Sequence, residues 1–389
     1  MYWFKFIFYT IVMKNMYSIK SLLRHQGTNQ IWNRPPTPNS SGDYVAYLRA
    51  PKVLKGGDPQ RGVTGRVSSE GYWKPPLPVL LFPGLGASKL LENSHQKYPP
   101  RMYDFLFKNK QWKQDIMTNY HIDTPQLGDI HSLDLSFLPF LPIRNIYKQL
   151  MSEPNVYPIP YDFRRIDQYD YITTLFCRIK TYIENMNQPV ILLGHSTGGL
   201  VIHWFLHRQS PEWRRTWIDS VVNINVPFGG TVLVLEHCLS NKHITRFIGK
   251  PVIQSLGGSV WNMPNTKYVN HSIVTNHGQE IDDYLAFFEL HDLRKRWYSN
   301  KHVFDSFSEW TGVKTHIVYS TTIPLEKTAT TLSITNSKKD FQTLYGEGDG
   351  VVSLSSLLVP KLWNAPPDEV LYKHFPNSGH SLILKQKIG

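Results

Sequence analysis

Residues 189–199 read PVILLGHSTGG, and residues 200–208 continue as LVIHWFLHR. An apolar run ends in Gly194-His195-Ser196-Thr197-Gly198, one more glycine follows, and an amphipathic helical pattern begins at once. A strand that passes into a helix through G-x-S-x-G forces the serine into a strained backbone conformation and presents its hydroxyl at the strand end. Gly194 and Gly198 carry no side chain, so neighbouring backbone can come close at that turn. The helix N-terminus beneath the serine favours developing negative charge. An ordinary glycine turn gives the same five letters; the strand before it and the helix after it favour Ser196 as a nucleophile.

The same form appears upstream, where residues 78–86 read PVLLFPGLG. Short apolar runs between turn signals suit strands buried on both faces, the habit of parallel sheets. Residues 220–226 (SVVNINV) and 315–319 (THIVY) predict further strands. Residues 170–186 predict a helix with Ile172, Leu175, Phe176, Ile179 and Ile183 on one face. The alternation of strands and helices predicts an α/β fold with a mostly parallel central sheet flanked by helices. Residues 91–130 and 231–313 fit that alternation poorly and are expected to be insertions capping the sheet, within a main domain over 46–389. Residues 54–71 are rich in glycine and charge and suit a surface loop or hairpin.

Ahead of that domain, residues 1–45 hold an apolar segment, YWFKFIFYTIVM from position 2, and a Pro- and Ser-rich linker at 28–43. The apolar run falls short of the roughly 20 residues a spanning helix needs. An interfacial anchor, a degenerate signal and a frayed extension all remain open for it. The chain has only two cysteines, Cys177 and Cys238, which excludes a disulfide framework and argues against a cysteine zinc site. A single bridge between them stays open as the alternative, but two buried free thiols are expected. Lys and Arg outnumber Asp and Glu by 42 to 30, a formal charge of +12. That excess suits nucleic acid, an anionic membrane or acidic partners. No zinc-finger, RNA-recognition or helix-turn-helix pattern accompanies it, so nucleic acid is not an expected partner.

A serine hydroxyl needs a base. In a fold with this elbow the three groups follow in the order serine, acid, histidine. His380, in NSGHS from position 377, lies in a polar turn near the end of the chain and is the expected base, with His374 as competitor in the strand-like VLYKHF. Residues 346–352 read GEGDGVV, a loop able to present a carboxylate; Asp349 is expected to be the acid, with Glu347 second. No D-x-D-x-D-G series follows, which argues against calcium. Backbone donors for an oxyanion are expected from Leu85, after the first strand, and Thr197, next to the nucleophile.

The order of motifs resembles the lecithin:cholesterol acyltransferase family of the α/β-hydrolase superfamily, which takes in lysosomal phospholipase A and phospholipid:diacylglycerol acyltransferase. The resemblance rests on FPGLGASKL from Phe82, GDIHSLD from Gly128, PYDFRR from Pro160, GHSTGG, VPFGGT from Val226, WNMP from Trp261, LYGEGDGVVSLSSL from Leu344 and GHSLIL from Gly379. It covers about residues 78–384. It implies an α/β-hydrolase fold, Ser196, Asp349 and His380 as catalytic residues, Leu85 and Thr197 as oxyanion donors, and no cofactor or metal. The implied reaction is acyl transfer from a glycerophospholipid ester to Ser196, then to water or a lipid alcohol. Peripheral contact with a membrane or lipid-particle surface would follow. A neutral-lipid or small-ester hydrolase, and a catalytically silent lipid-binding protein, are the alternatives.

Asp162 and Arg164 are expected to brace a loop. Trp112 and Phe105 in the first insertion suit either a membrane-facing surface or an aromatic core. Residues 91–130 contain no cysteine, unlike the disulfide-bearing lid of mammalian members, so a lid there is held by packing or is more mobile.

Overall fold

A computed structural model of the chain describes residues 66–67, 73–74, 77–100, 108–119, 121–133, 146–241, 245–322 and 327–385. The N-terminal segment and linker expected over 1–45, most of the loop expected over 54–71, and Phe105 lie outside the described residues. Residues 66–67 and 73–74 pair antiparallel.

Six strands form the central sheet: β1 (Val79–Phe82), β2 (Val156–Pro158), β3 (Val190–His195), β4 (Ile218–Ile224), β5 (Thr315–Ser320) and β6 (Val370–Phe375). Their order is β6-β5-β4-β3-β1-β2, and every neighbouring pair is parallel. The chain leaves β1 for β2 on one side and then crosses to β3 on the other. β1 and β3 therefore flank the point where the crossovers reverse, and ligands bind in open α/β sheets beyond the strand ends at such a point. This is the α/β-hydrolase arrangement expected from the elbow.

Strands buried on both faces have no polar side to alternate with, which is why β1 reads VLLF and β3 VILLGH with every residue buried. Alternate side chains still divide between two cores. Leu80, Phe82 and Leu192 pack on one face, and Val79, Leu81, Ile191 and Leu193 on the other. Two helices cover the first face: α1 (Tyr169–Glu184) and α2 (Thr197–His207). α1 buries Ile172, Leu175, Phe176, Ile179 and Ile183 there, each burial contributing about 1.5–3 kcal/mol over exposure. The same helical phase corrects one expectation. Cys177 falls off that stripe and is exposed, whereas Cys238 is buried, and both are free thiols. Burial pushes the Cys238 thiol up to about 12.

The described residues between 90 and 130 form a hairpin (Leu90–Glu92 with His95–Tyr98) and a helix, Asn109–Thr118. Trp112 on that helix is 6% exposed and its indole N–H donates to the Lys97 carbonyl at 2.9 Å, so it belongs to the core and not to a membrane-facing surface. Arg164 holds the same region from below. It meets Asp162 through Nε at 2.9 Å and Nη2 at 2.7 Å, and its remaining N–H groups donate to the carbonyls of Ile116, Asn119 and Ile122. A buried pair stabilises only when its other donors are satisfied, and here they are.

Residues 231–313 are mostly short helices, but Val274–Asn276 and Gln279–Glu280 are strands. They join Thr328–Ile334 and Phe341–Gly346 in a second, four-stranded sheet that the sequence pattern does not announce. Strands of two and three residues are too short to show a period of two. Among the described residues no helix is long and apolar enough to cross a membrane.

Candidate functional site

Ser196 follows β3 and caps α2 with φ 54° and ψ −131°, a conformation L-residues rarely adopt. Three close approaches hold it there. A Cβ on Gly194 would lie 2.6 Å from the Gly199 Cα, one on Gly198 2.3 Å from the Phe82 carbonyl oxygen, and one on Gly199 2.1 Å from Val226 Cγ2. The Ser196 N–H also donates to the Ile224 carbonyl at 2.9 Å. The glycines thus let α2 start flush against the ends of β1 and β4, and Ser196 itself takes up the strain.

His380 lies in the turn after β6. Its Nε2 is 2.9 Å from Ser196 Oγ and its Nδ1 is 2.6 Å from Asp349 Oδ2. Asp349 is 1% exposed. Its second oxygen accepts from the N–H groups of Val351 and Val352 at 2.9 and 2.7 Å. The carboxylate is therefore aimed by its own loop. The loop is fixed in turn by Gly350 N–H to Thr328 Oγ1 at 2.8 Å and Thr322 N–H to the Gly348 carbonyl at 2.9 Å. The two competitors lie elsewhere. Glu347 is exposed, and His374, also exposed, stacks on Tyr319 and meets Thr321 Oγ1 at 3.0 Å.

Leu85 follows β1 in the loop beside the serine; a Cβ on Gly84 would sit 3.2 Å from Ser196 Cβ. Among the described residues the backbone N–H groups of Leu85 and Thr197 donate to no other protein group. The Thr197 hydroxyl accepts from Asn262 Nδ2 at 2.9 Å, and the Leu85 side chain rests where Gly258 leaves room. Residues 257–262 therefore touch both candidate oxyanion positions.

Asn225 and Ser320 belong to no motif that the sequence announces. Asn225 sits at φ 49° after β4, wholly buried, and its Nδ2 donates to the His380 carbonyl at 2.9 Å. Ser320 Oγ donates to the Gly379 carbonyl at 2.9 Å. An Asn in SVVNINV carries no sequence signal for that role beyond its place at a strand end.

A family model described as lecithin:cholesterol acyltransferase matches residues 148–275, which include the elbow. The chain is 28% identical over 244 residues to a lysosomal phospholipase A and acyltransferase of Mus musculus, covering 58% of each protein. It is 24% identical over 274 residues to a phosphatidylcholine-sterol acyltransferase of Gallus gallus, covering 64% of this chain and 65% of that one. The chain thus spans under two thirds of the length of either relative. Among solved structures, a chain of the Tle4–Tli4 complex superposes with a TM-score of 0.56 at 11% identity, covering 79% of this chain and 95% of that chain, a likeness of fold. The family model lies across the elbow, and relatives of two named activities align with the chain. Over residues 148–275 the chain is similar to the lecithin:cholesterol acyltransferase family, and its central sheet has the α/β-hydrolase arrangement.

Proposed function

We propose that the chain is a serine-dependent acyl hydrolase or O-acyltransferase acting on glycerophospholipid esters, with Ser196 as nucleophile, His380 as base and Asp349 as its carboxylate partner. One observation carries this reading: the hydrogen-bonded series Asp349–His380–Ser196 at the switch point of the sheet. In the scheme, His380 Nε2 takes the proton as Ser196 Oγ attacks the ester carbonyl. Asp349 keeps Nδ1 protonated and stabilises the imidazolium that forms. The tetrahedral oxyanion is met by the N–H groups of Leu85 and Thr197, each such donor contributing about 3–4 kcal/mol to the transition state. His380 then protonates the departing lysolipid oxygen, which leaves an acyl group on Ser196. Water or a lipid alcohol, deprotonated by the same imidazole, takes that group and restores the serine. Lipid substrates are in keeping with the names of the relatives, and the charge of +12 favours adsorption to anionic interfaces.

Labelling with a serine-directed fluorophosphonate, followed by product analysis on phosphatidylcholine vesicles with and without a sterol or diacylglycerol, tests the proposal. The expected result is labelling lost in Ser196→Ala, with free fatty acid or acylated alcohol released by wild type. Wild-type protein that takes no label and releases no product would identify a silent lipid-binding protein instead. Product from soluble short-chain esters alone would favour a small-ester hydrolase.

A further inference from the structure

Behind the candidate triad runs a second series of hydrogen bonds that the acyl-transfer scheme does not use. The Gly84 N–H, in the loop after β1, donates to Tyr147 Oη at 2.8 Å. That oxygen lies 2.7 Å from Nδ1 of His195, and His195 Nε2 lies 3.2 Å from the His380 carbonyl oxygen. An amide N–H only donates and a carbonyl oxygen only accepts, so both ends of the series are fixed. Tyr147 accepts from Gly84 and donates to Nδ1; Nε2 carries the imidazole hydrogen and donates to His380. Burial first and the nearby His380 second lower His195 to about 3, which keeps it a neutral imidazole, and the two fixed ends then leave it one tautomer, Nε2–H. Tyr147 and His195 are each 3% exposed.

The two ends of this series are the two loops that acyl transfer most needs in register. Gly84 immediately precedes Leu85, the candidate oxyanion donor. Holding the Gly84 N–H on a buried phenol also removes it from the competition to bind the oxyanion. At the other end, the His380 carbonyl takes both His195 Nε2 and Asn225 Nδ2, so its two lone pairs are filled from the C-terminal ends of β3 and β4. No regular element carries His380, which lies between β6 and the short turn of helix at Leu382–Lys385.

We propose that Tyr147 and His195 are a positioning couple, locking the oxyanion loop and the base loop to one another across the strand that bears the nucleophile. This rests on the acyl-transfer reading above. The couple never touches substrate; it sets the separation between Leu85 N–H and the His380 imidazole.

The test uses the full chain, a soluble 4-nitrophenyl ester and fluorophosphonate labelling, with Tyr147→Phe, His195→Gln and the double variant. Each single variant is expected to lower kcat and the labelling rate by about 10- to 100-fold while KM stays within about twofold, the pattern of misplaced machinery. The double variant is expected to be no slower than the worse single one, because both changes cut the same series. Losses that multiply, or a Tyr147→Phe enzyme with wild-type kcat, would overturn the proposal. A measurement on wild type alone guards against variants that fold poorly. In spectra of 15N-histidine-labelled protein at about pH 7, His195 must be the Nε2–H tautomer, and an Nδ1–H tautomer there sinks the idea. Wild-type protein that neither labels nor hydrolyses ester would bring down the acyl-transfer reading itself, before any variant is compared.

Discussion

Asp349 and Glu347 stand two residues apart in a glycine-rich loop and have opposite fates. Asp349 turns inward, where two backbone N–H groups hold one oxygen and His380 the other. Glu347 points to solvent. Asp349→Asn is therefore expected to cut kcat by about 10⁴-fold by presenting the wrong group to Nδ1, while Glu347→Gln keeps wild-type turnover. Steady-state kinetics on both variants decides it; an active Asp349→Asn beside an inactive Glu347→Gln would move the acid by two positions. At this scale the sequence carried the residue types and their order along the chain. It carried nothing of Asn225, Tyr147 or the role of His195, because their parts depend on which strand ends the topology brings together. No local pattern records that.

At the scale of elements, the elbow is a three-way contact of β1, β3 and α2, and glycine is its spacer. Within the elbow the tightest approach to backbone is at Gly198, where an added methyl would lie 2.3 Å from the Phe82 carbonyl oxygen. A backbone oxygen cannot rotate aside as a side chain does. Gly198→Ala is expected to destabilise by about 1–3 kcal/mol through overpacking and to slow labelling of Ser196, since β1 and α2 must part to admit the methyl. Thermal unfolding and fluorophosphonate kinetics on the one variant check both halves; an unchanged midpoint would show that the two elements have slack. The elements around this contact were legible because they follow strong rules: continuous apolar strands, the stripe on α1 and the G-x-S-x-G turn. The second sheet was not, because its shortest strands span two and three residues and are defined by partners far along the chain.

Across the whole molecule, acid works against the fold through buried imidazoles. His195 and His203 are each lowered to about 3, burial being the leading cause, with His380 and His207 respectively adding to it. An unfolded histidine takes up a proton near pH 6.5, and these two do so only near 3, so between those values the unfolded chain binds more protons. Their contribution is complete above about pH 6.5 and falls as pH drops, by about 1.4 kcal/mol per pH unit for each histidine. Urea unfolding at pH 7 and pH 5 should show the lower midpoint at pH 5; equal midpoints would mean these imidazoles are already charged in the native state. The second sheet has a consequence of another kind. Its edge strand, Phe341–Gly346, runs straight into the loop that bears Asp349, and Thr328 on the neighbouring strand anchors that loop. The proposed nucleophile grows from the central sheet and its proposed carboxylate partner from the loop after the second sheet. A chimera that swapped residues 265–346 for a relative's segment would thus transplant the support of the proposed acid along with the second sheet, and a trimmed minimal version of the chain could not dispense with that segment.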